Sequence, residues 1–198
     1  MGLLSRLKKR FGKKSKPVDF EIICKERESE LSKILGEPTE SLFHAVVPFY
    51  LGGSADVMVF PNYISGATYV TAEMTGCDDQ MPNQNGNYEL MFCTRSDNTW
   101  AANILSVLAR YTTETVLNPG DTMDCPAFPD SQLTALLYAD PGTPSYTVNG
   151  RKASLLLCVG ITQAELELSR ASGSEALISK LREANVFPYT DPERQRVV

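Results

Sequence analysis

The residues able to do chemistry are few and scattered: one histidine, five cysteines and a handful of acidic loops. His44 lies in the apolar stretch 42–50, and no second histidine exists to complete a His/Cys set for zinc or another transition metal. The cysteines stand at 24, 77, 93, 125 and 158 with no C-x-x-C pair. An odd number without paired spacing argues against a disulfide framework and for a reducing, cytoplasmic setting. Cys–His catalysis would need His44 beside one of these thiols, and none sits in a recognisable reactive context. Asp78 and Asp79 are adjacent acids followed by Gln80 and Met81, whereas a calcium loop alternates its acids. No G-x-S-x-G elbow, Walker A loop or dinucleotide-binding glycine pattern occurs. The expectation is a non-enzymatic chain with no cofactor and no metal. The remaining enzymatic alternative is a hydrolase using carboxylates from the Asp78 and Asp121 loops.

The elements that would position these residues are those of an ordinary folded domain. At 198 residues with 42% hydrophobic content, the chain can bury one sizeable core. No apolar run approaches the roughly 20 residues of a membrane-spanning helix, and the first eleven residues lack the pattern of a secretory signal. The net charge of −5 hides an asymmetry: residues 1–16 carry seven Lys/Arg and no acid, while the rest carries 12 basic and 24 acidic residues, a balance of −12. So acidic a body repels phosphate backbones, which argues against nucleic acid and for a protein partner, preferably a basic one.

Two regions follow, a basic tail over 1–17 and a folded domain over 18–198. In helical form the tail groups Leu3, Leu4, Leu7 and Phe11 on one face and Arg6, Lys9, Arg10 and Lys13 on the other. That pattern suits the surface of an anionic membrane, and a solvated basic tail is the simpler alternative.

Within the domain, periodicity and turn residues predict a helix over 19–35 closed by Gly36, and strands over 42–50, 57–60 and 68–74. A long loop follows over 76–86, then a strand over 88–94 alternating Tyr88, Leu90 and Phe92 against Glu89, Met91 and Cys93. A helix over 97–113 carries Trp100, Ile104, Leu105, Leu108 and Tyr111 at three- and four-residue steps, predicting a core-facing stripe. Residues 118–121 form a turn. Strands at 133–139 and 153–160 follow, with Asn149–Gly150 as a hairpin signal. Two capping boxes, Thr162-x-x-Glu165 and Ser172-x-x-Glu175, predict helices ending at Ala171 and Ala184, and 186–189 is a last short strand. The sum is an α+β domain with a mixed, mostly antiparallel sheet flanked by helices.

An ordered series of short segments adds a resemblance: LGG, TYVTAEMTG, NYELMFCTR, TWAANILSVLARYT, PGDT, LTALLYADP, ITQAELELS and DPER, running from Leu51 to Arg194. Together they resemble the Suppressor of fused family. The resemblance implies a protein-binding module, with partner-binding roles for the aromatic ending the central helix, here Tyr111, and the aspartate of the following G-D turn, here Asp121. Eukaryotic members hold a peptide between two domains. This sequence ends at Val198, after the segment closing the first, so a partner is expected to be held by one domain. Stand-alone members are bacterial, and some are proposed to be immunity proteins that neutralise a toxin by binding it. That role leads, and a membrane-surface adaptor anchored by the basic tail is the alternative.

Overall fold

The computed structural model describes residues 20–96, 99–125, 128 and 131–198. Within these, the strands are β1 (Leu42–Phe43), β2 (Val57–Phe60), β3 (Ala67–Thr71), β4 (Asn87–Thr94), β5 (Thr122–Asp124), β6 (Leu133–Ala139), β7 (Tyr146–Val148) and β8 (Arg151–Thr162). The helices are α1 (Phe20–Leu35), α2 (Thr99–Leu108), α3 (Gln163–Ser172) and α4 (Ser174–Glu183). One sheet runs β1-β2-β3-β4-β8-β6-β5, with β7 pairing to the start of β8. Among the described strands, β4 and β8 alone pair in parallel. A parallel pair needs a long crossover, which α2 and the strands after it provide.

Both faces of the sheet are covered. Tyr88, Leu90, Phe92, Leu156 and Cys158 point into one core with Leu105 and Leu108 of α2. Met91, Cys93, Leu155, Leu157 and Val159 point into the other, with Leu31 of α1, Leu166 of α3 and Leu181 of α4. Full burial of such a leucine contributes about 1.5–3 kcal/mol. The alternation in β4 has the predicted phase, yet all eight of its residues are buried because both faces carry helices.

That second cover explains the ion pair on which α1 docks. Glu89 is fully buried in β4, and its carboxylate accepts from Thr71 Oγ1 (2.6 Å), Met74 N (3.0 Å) and Thr75 N (2.7 Å). Arg27 of α1 reaches it at 3.3 Å and donates to the Thr75 carbonyl at 2.6 Å. Burial raises the Glu89 pKa against the pull of Arg27 and the donors. A second buried pair closes the chain: Arg194 donates to Glu165 at 2.7 and 2.5 Å and to the Gly160 carbonyl at 3.0 Å. Glu165 also belongs to the predicted capping box, accepting from Thr162 N at 2.8 Å.

Several expectations change in detail. The predicted strand over 42–50 stops at Phe43, and a 3-10 turn forms at Phe49–Leu51. Pro48 has no N–H for a ladder, and side-chain carboxylates take the neighbouring amides: Asp56 from Ala45 (2.7 Å), Glu73 from Phe49 (3.1 Å). The second capping box does not form. Gly173, at φ +87°, is the N-cap of α4, and no side chain caps it. The strand expected at 186–189 is a single bridge from Tyr189 to Cys93, because the Val186 and Phe187 amides bond back to the Leu181 carbonyl. The predicted hairpin is present, with Asn149 at φ +53° and Gly150 at φ +70°, the pair of left-handed residues a type I′ turn requires. The cap at Asp97 and the basic tail lie outside the described residues.

Candidate functional site

Tyr111 owes its position to the drift of the buried stripe along α2. The buried positions are Ala101, Ala102, Ile104, Leu105, Leu108, Ala109 and Thr112, so the core line passes to Thr112 and leaves Tyr111 on its flank. Thr112 occupies that buried place at little cost, since its hydroxyl donates to the Ala109 carbonyl at 2.6 Å. Tyr111 is 54% exposed, beside Val107 one helical turn earlier, which is 55% exposed. The expected core-facing stripe is corrected at its end: Tyr111 is a surface residue. Trp100, also expected in the stripe, is half-buried, edge-on between Phe92 and Phe128 with ring centroids 5.7 Å from each.

The Tyr111 backbone is fixed by a 3-10 turn over Ala109–Thr113, and its carbonyl accepts from Glu114 N (3.1 Å) and Thr115 N (2.8 Å). The Met81 amide donates to the Thr112 carbonyl at 2.9 Å, so the long 76–86 loop buttresses the turn. A hollow of about 460 Å³ opens there, lined by Gly52, Gly53, Val107, Tyr111 and Glu114. A Cβ on Gly53 would lie 1.8 Å from the Val47 carbonyl oxygen, so only glycine allows this wall.

Asp121 sits in the predicted turn. Its amide donates to the Asn118 carbonyl at 3.1 Å, and its Oδ2 accepts from Asn118 N at 2.7 Å. The Tyr138 amide bonds the Asp121 carbonyl at 2.9 Å, which sets the carboxylate at the mouth of β5 and leaves it exposed. It lines a second hollow of about 460 Å³ with Thr115, Met123, Arg170 and Ser174. Successive residues, Glu114 and Thr115, line the two hollows, so Tyr111 and Asp121 flank one segment. This is a shallow face with an aromatic at one end and a carboxylate at the other.

The groups considered for catalysis do not converge. His44 is exposed in the loop after β1, with Nδ1 3.0 Å from Asp56 Oδ2 and no cysteine partner. Burial pushes the Cys77 thiol up to about 11 and the Cys93 thiol up to about 12, which keeps both protonated at neutral pH. Asp78 pairs with Arg151 at the start of β8, whereas Asp121 lies level with Tyr138, opposite Cys158. Among the described residues no group of three or more His, Cys, Asp or Glu is placed to hold a metal ion. Nor is any described helix long and apolar enough to cross a membrane. Arg6, Lys9, Arg10 and Lys13 lie outside the described residues. The Arg27–Glu89 and Arg194–Glu165 pairs were not anticipated from sequence, because each joins residues far apart in the chain.

Comparison with known proteins identifies the family and the fold. The family model described as Suppressor of fused protein matches residues 54–195. No curated protein matches the sequence. The fold is similar to that in the crystal structure of the Sufu–Fu complex, with a TM-score of 0.70 at 17% identity over 91% of this chain and 93% of that one. It is also similar to a Suppressor of fused homologue of Neisseria gonorrhoeae FA 1090, with a TM-score of 0.65 at 20% identity over 89% and 97%. Drosophila Suppressor of Fused gives a TM-score of 0.67 at 16% identity over 89% of this chain, which spans 50% of that protein.

Proposed function

Because the chain belongs to the Suppressor of fused family, we propose that it is a non-enzymatic protein-binding module whose partner seats on the face between Tyr111 and Asp121. The observation that carries this reading is the outward placement of Tyr111, a large aromatic that the adjacent Thr112 displaces from the core. A half-exposed tyrosine above a hollow is the kind of anchor that dominates binding energy, and a nearby carboxylate selects a basic group opposite it. The balance of −12 outside residues 1–16 favours encounter with a basic partner. A related structure is a complex of Sufu with Fu, which supports a protein as the ligand class. Neutralisation of a basic toxin inside a bacterial cytoplasm is the specific role in view.

Affinity purification of the tagged chain from its native host tests the proposal, with wild type, Tyr111→Ser and Asp121→Asn run side by side. A truncated anchor of this kind costs about 2 kcal/mol or more, so each variant is expected to recover the wild-type partner at least tenfold less well. An exposed change elsewhere, Glu28→Gln, should recover it fully. Equal recovery by all four would remove this face from the function. A toxin among the captured proteins would support the immunity role, and its absence would leave a different protein partner.

A further inference from the structure

An apolar surface adjoins the Tyr111 hollow. Val46 is 100% exposed, Val47 48%, Leu51 64% and Val107 55%. Val47 abuts Gly53, a wall of the hollow that Val107 and Tyr111 complete. The loop is held against α2, since Ala55 N donates to the Ser106 carbonyl at 3.2 Å and Ser106 Oγ to the Ala55 carbonyl at 2.7 Å. The exposure is not slack in the chain. Asp56 holds Ala45 N, and Glu73 holds both Phe49 N and Asp56 N. A loop wired by two carboxylates therefore presents its apolar side chains outward, in a patch that marks an interaction surface. Little ordering entropy is left for an occupant to overcome.

The charges around it choose the occupant. The chain is 22% charged, yet residues 41–55 and residues 99–109, which make α2 and the start of the turn after it, contain no Lys, Arg, Asp or Glu. A basic partner, drawn by the acidic body, finds little here to pair with. A second copy is repelled by acidic faces but not by this one. Two exposed charges of opposite sign stand at its border, Arg110 and Glu114, both lining the hollow. Interfaces between identical chains are also more apolar than those between unlike ones. We propose that this surface binds a second copy of the chain in a two-fold dimer, with Val46, Val47, Leu51 and Val107 at its centre. A two-fold axis brings the same surface of both copies together, so Arg110 of each copy meets Glu114 of the other and no like charges are opposed. The adjoining edge strand β1 has two residues, too few for strand pairing across the axis, so the contact is made by side chains. Tyr111 lies on the border, and a second copy then competes with a partner for it. That consequence rests on the binding reading above; the dimer does not.

The test uses the full chain and needs no other partner. Analytical ultracentrifugation over a concentration series reads the dimer, and hydroxyl-radical footprinting of Val47, Leu51 and Val107 places it. Wild type should associate as concentration rises, with labelling of the three side chains falling severalfold. Val46→Asp/Leu51→Asp and Val107→Glu should each weaken association about tenfold or more. Both should keep the wild-type urea midpoint, because the altered side chains are exposed. Arg110→Glu and Glu114→Arg each oppose like charges across the axis and should be monomeric alone, yet associate when mixed with each other. A wild type that stays monomeric at every concentration overturns the proposal. So does a dimer that survives all these substitutions, since it uses another face. A mixture no more associated than its parts overturns the two-fold arrangement. Protection of a monomer that appears only with phosphatidylcholine vesicles overturns the dimer in favour of a lipid surface. Failure of the binding reading would show separately, as unchanged partner recovery by Tyr111→Ser.

Discussion

Asp121 accepts the Asn118 amide at 2.7 Å, so its carboxylate has a structural duty besides the charge it presents. The two duties separate by substitution. Asp121→Asn keeps an oxygen for the amide and is expected to leave the urea midpoint nearly unchanged. Asp121→Ala loses the acceptor and should cost about 0.5–1.5 kcal/mol, the usual worth of one hydrogen bond. If both variants unfold at the wild-type midpoint, the turn does not depend on the carboxylate. At Tyr111 the sequence placed the residue at the end of the right helix but assigned it to the core. Three- and four-residue spacing admits both Tyr111 and Thr112 after Leu108. The choice falls to the residue that points at the sheet, and a threonine that bonds its own turn fits there.

The elements were largely readable because each follows local chemistry. Strand β2 has the predicted ends, and the loop over 76–86, the Asn149–Gly150 hairpin and the Thr162 capping box are as expected. The failures at 42–50 and 186–189 share one cause, which is capture of backbone amides by carboxylates or carbonyls outside the expected ladder. The loop after β1 is the clearest case, since Glu73 lies 24 residues from the Phe49 amide it accepts. That loop also depends on Gly53, whose hydrogen faces Val47. Gly53→Ala forces a displacement of backbone and is expected to destabilise the protein by about 1–3 kcal/mol. It should also raise labelling of Val47 and Leu51, read by denaturant unfolding and footprinting together. A neutral result would mean that the loop can shift freely, and the wired patch would lose its basis.

At the scale of the whole molecule, two buried ion pairs tie the outer layer to the sheet, Arg27–Glu89 for α1 and Arg194–Glu165 for the C-terminal segment. Removing one partner leaves an uncompensated buried charge, so Arg194→Met is expected to cost about 3–5 kcal/mol at pH 7. For Glu165, burial pushes the pKa up, but Arg194 and the amides of Thr162 and Val197 outweigh it and hold the carboxyl below its ordinary 4.5. A lowered folded pKa gives stability that is present above the unfolded value and lost as pH falls through the folded one. The gap between wild type and Arg194→Met should therefore be widest near neutrality and narrow below about pH 4.5, since protonation relieves the stranded carboxyl. Urea unfolding at pH 7 and pH 4 measures it, and a gap independent of pH would exclude the ion pair as its source. Glu73 and Glu89, raised by burial, contribute with the opposite sign in both proteins and cancel in the comparison.

Periodicity, turn residues and the order of short segments were enough to determine the α+β class, the succession of most elements and the family, because these depend on neighbours in the chain. The tertiary structure decided which face of α2 meets the sheet, which carboxylates are buried and matched by arginines, and where the apolar loop after β1 is held. Those outcomes depend on contacts between residues tens of positions apart, such as Arg27 with Glu89 and Glu165 with Arg194. No local pattern encodes such a pairing, because its energy exists only once the sheet has brought the partners into one low-dielectric place.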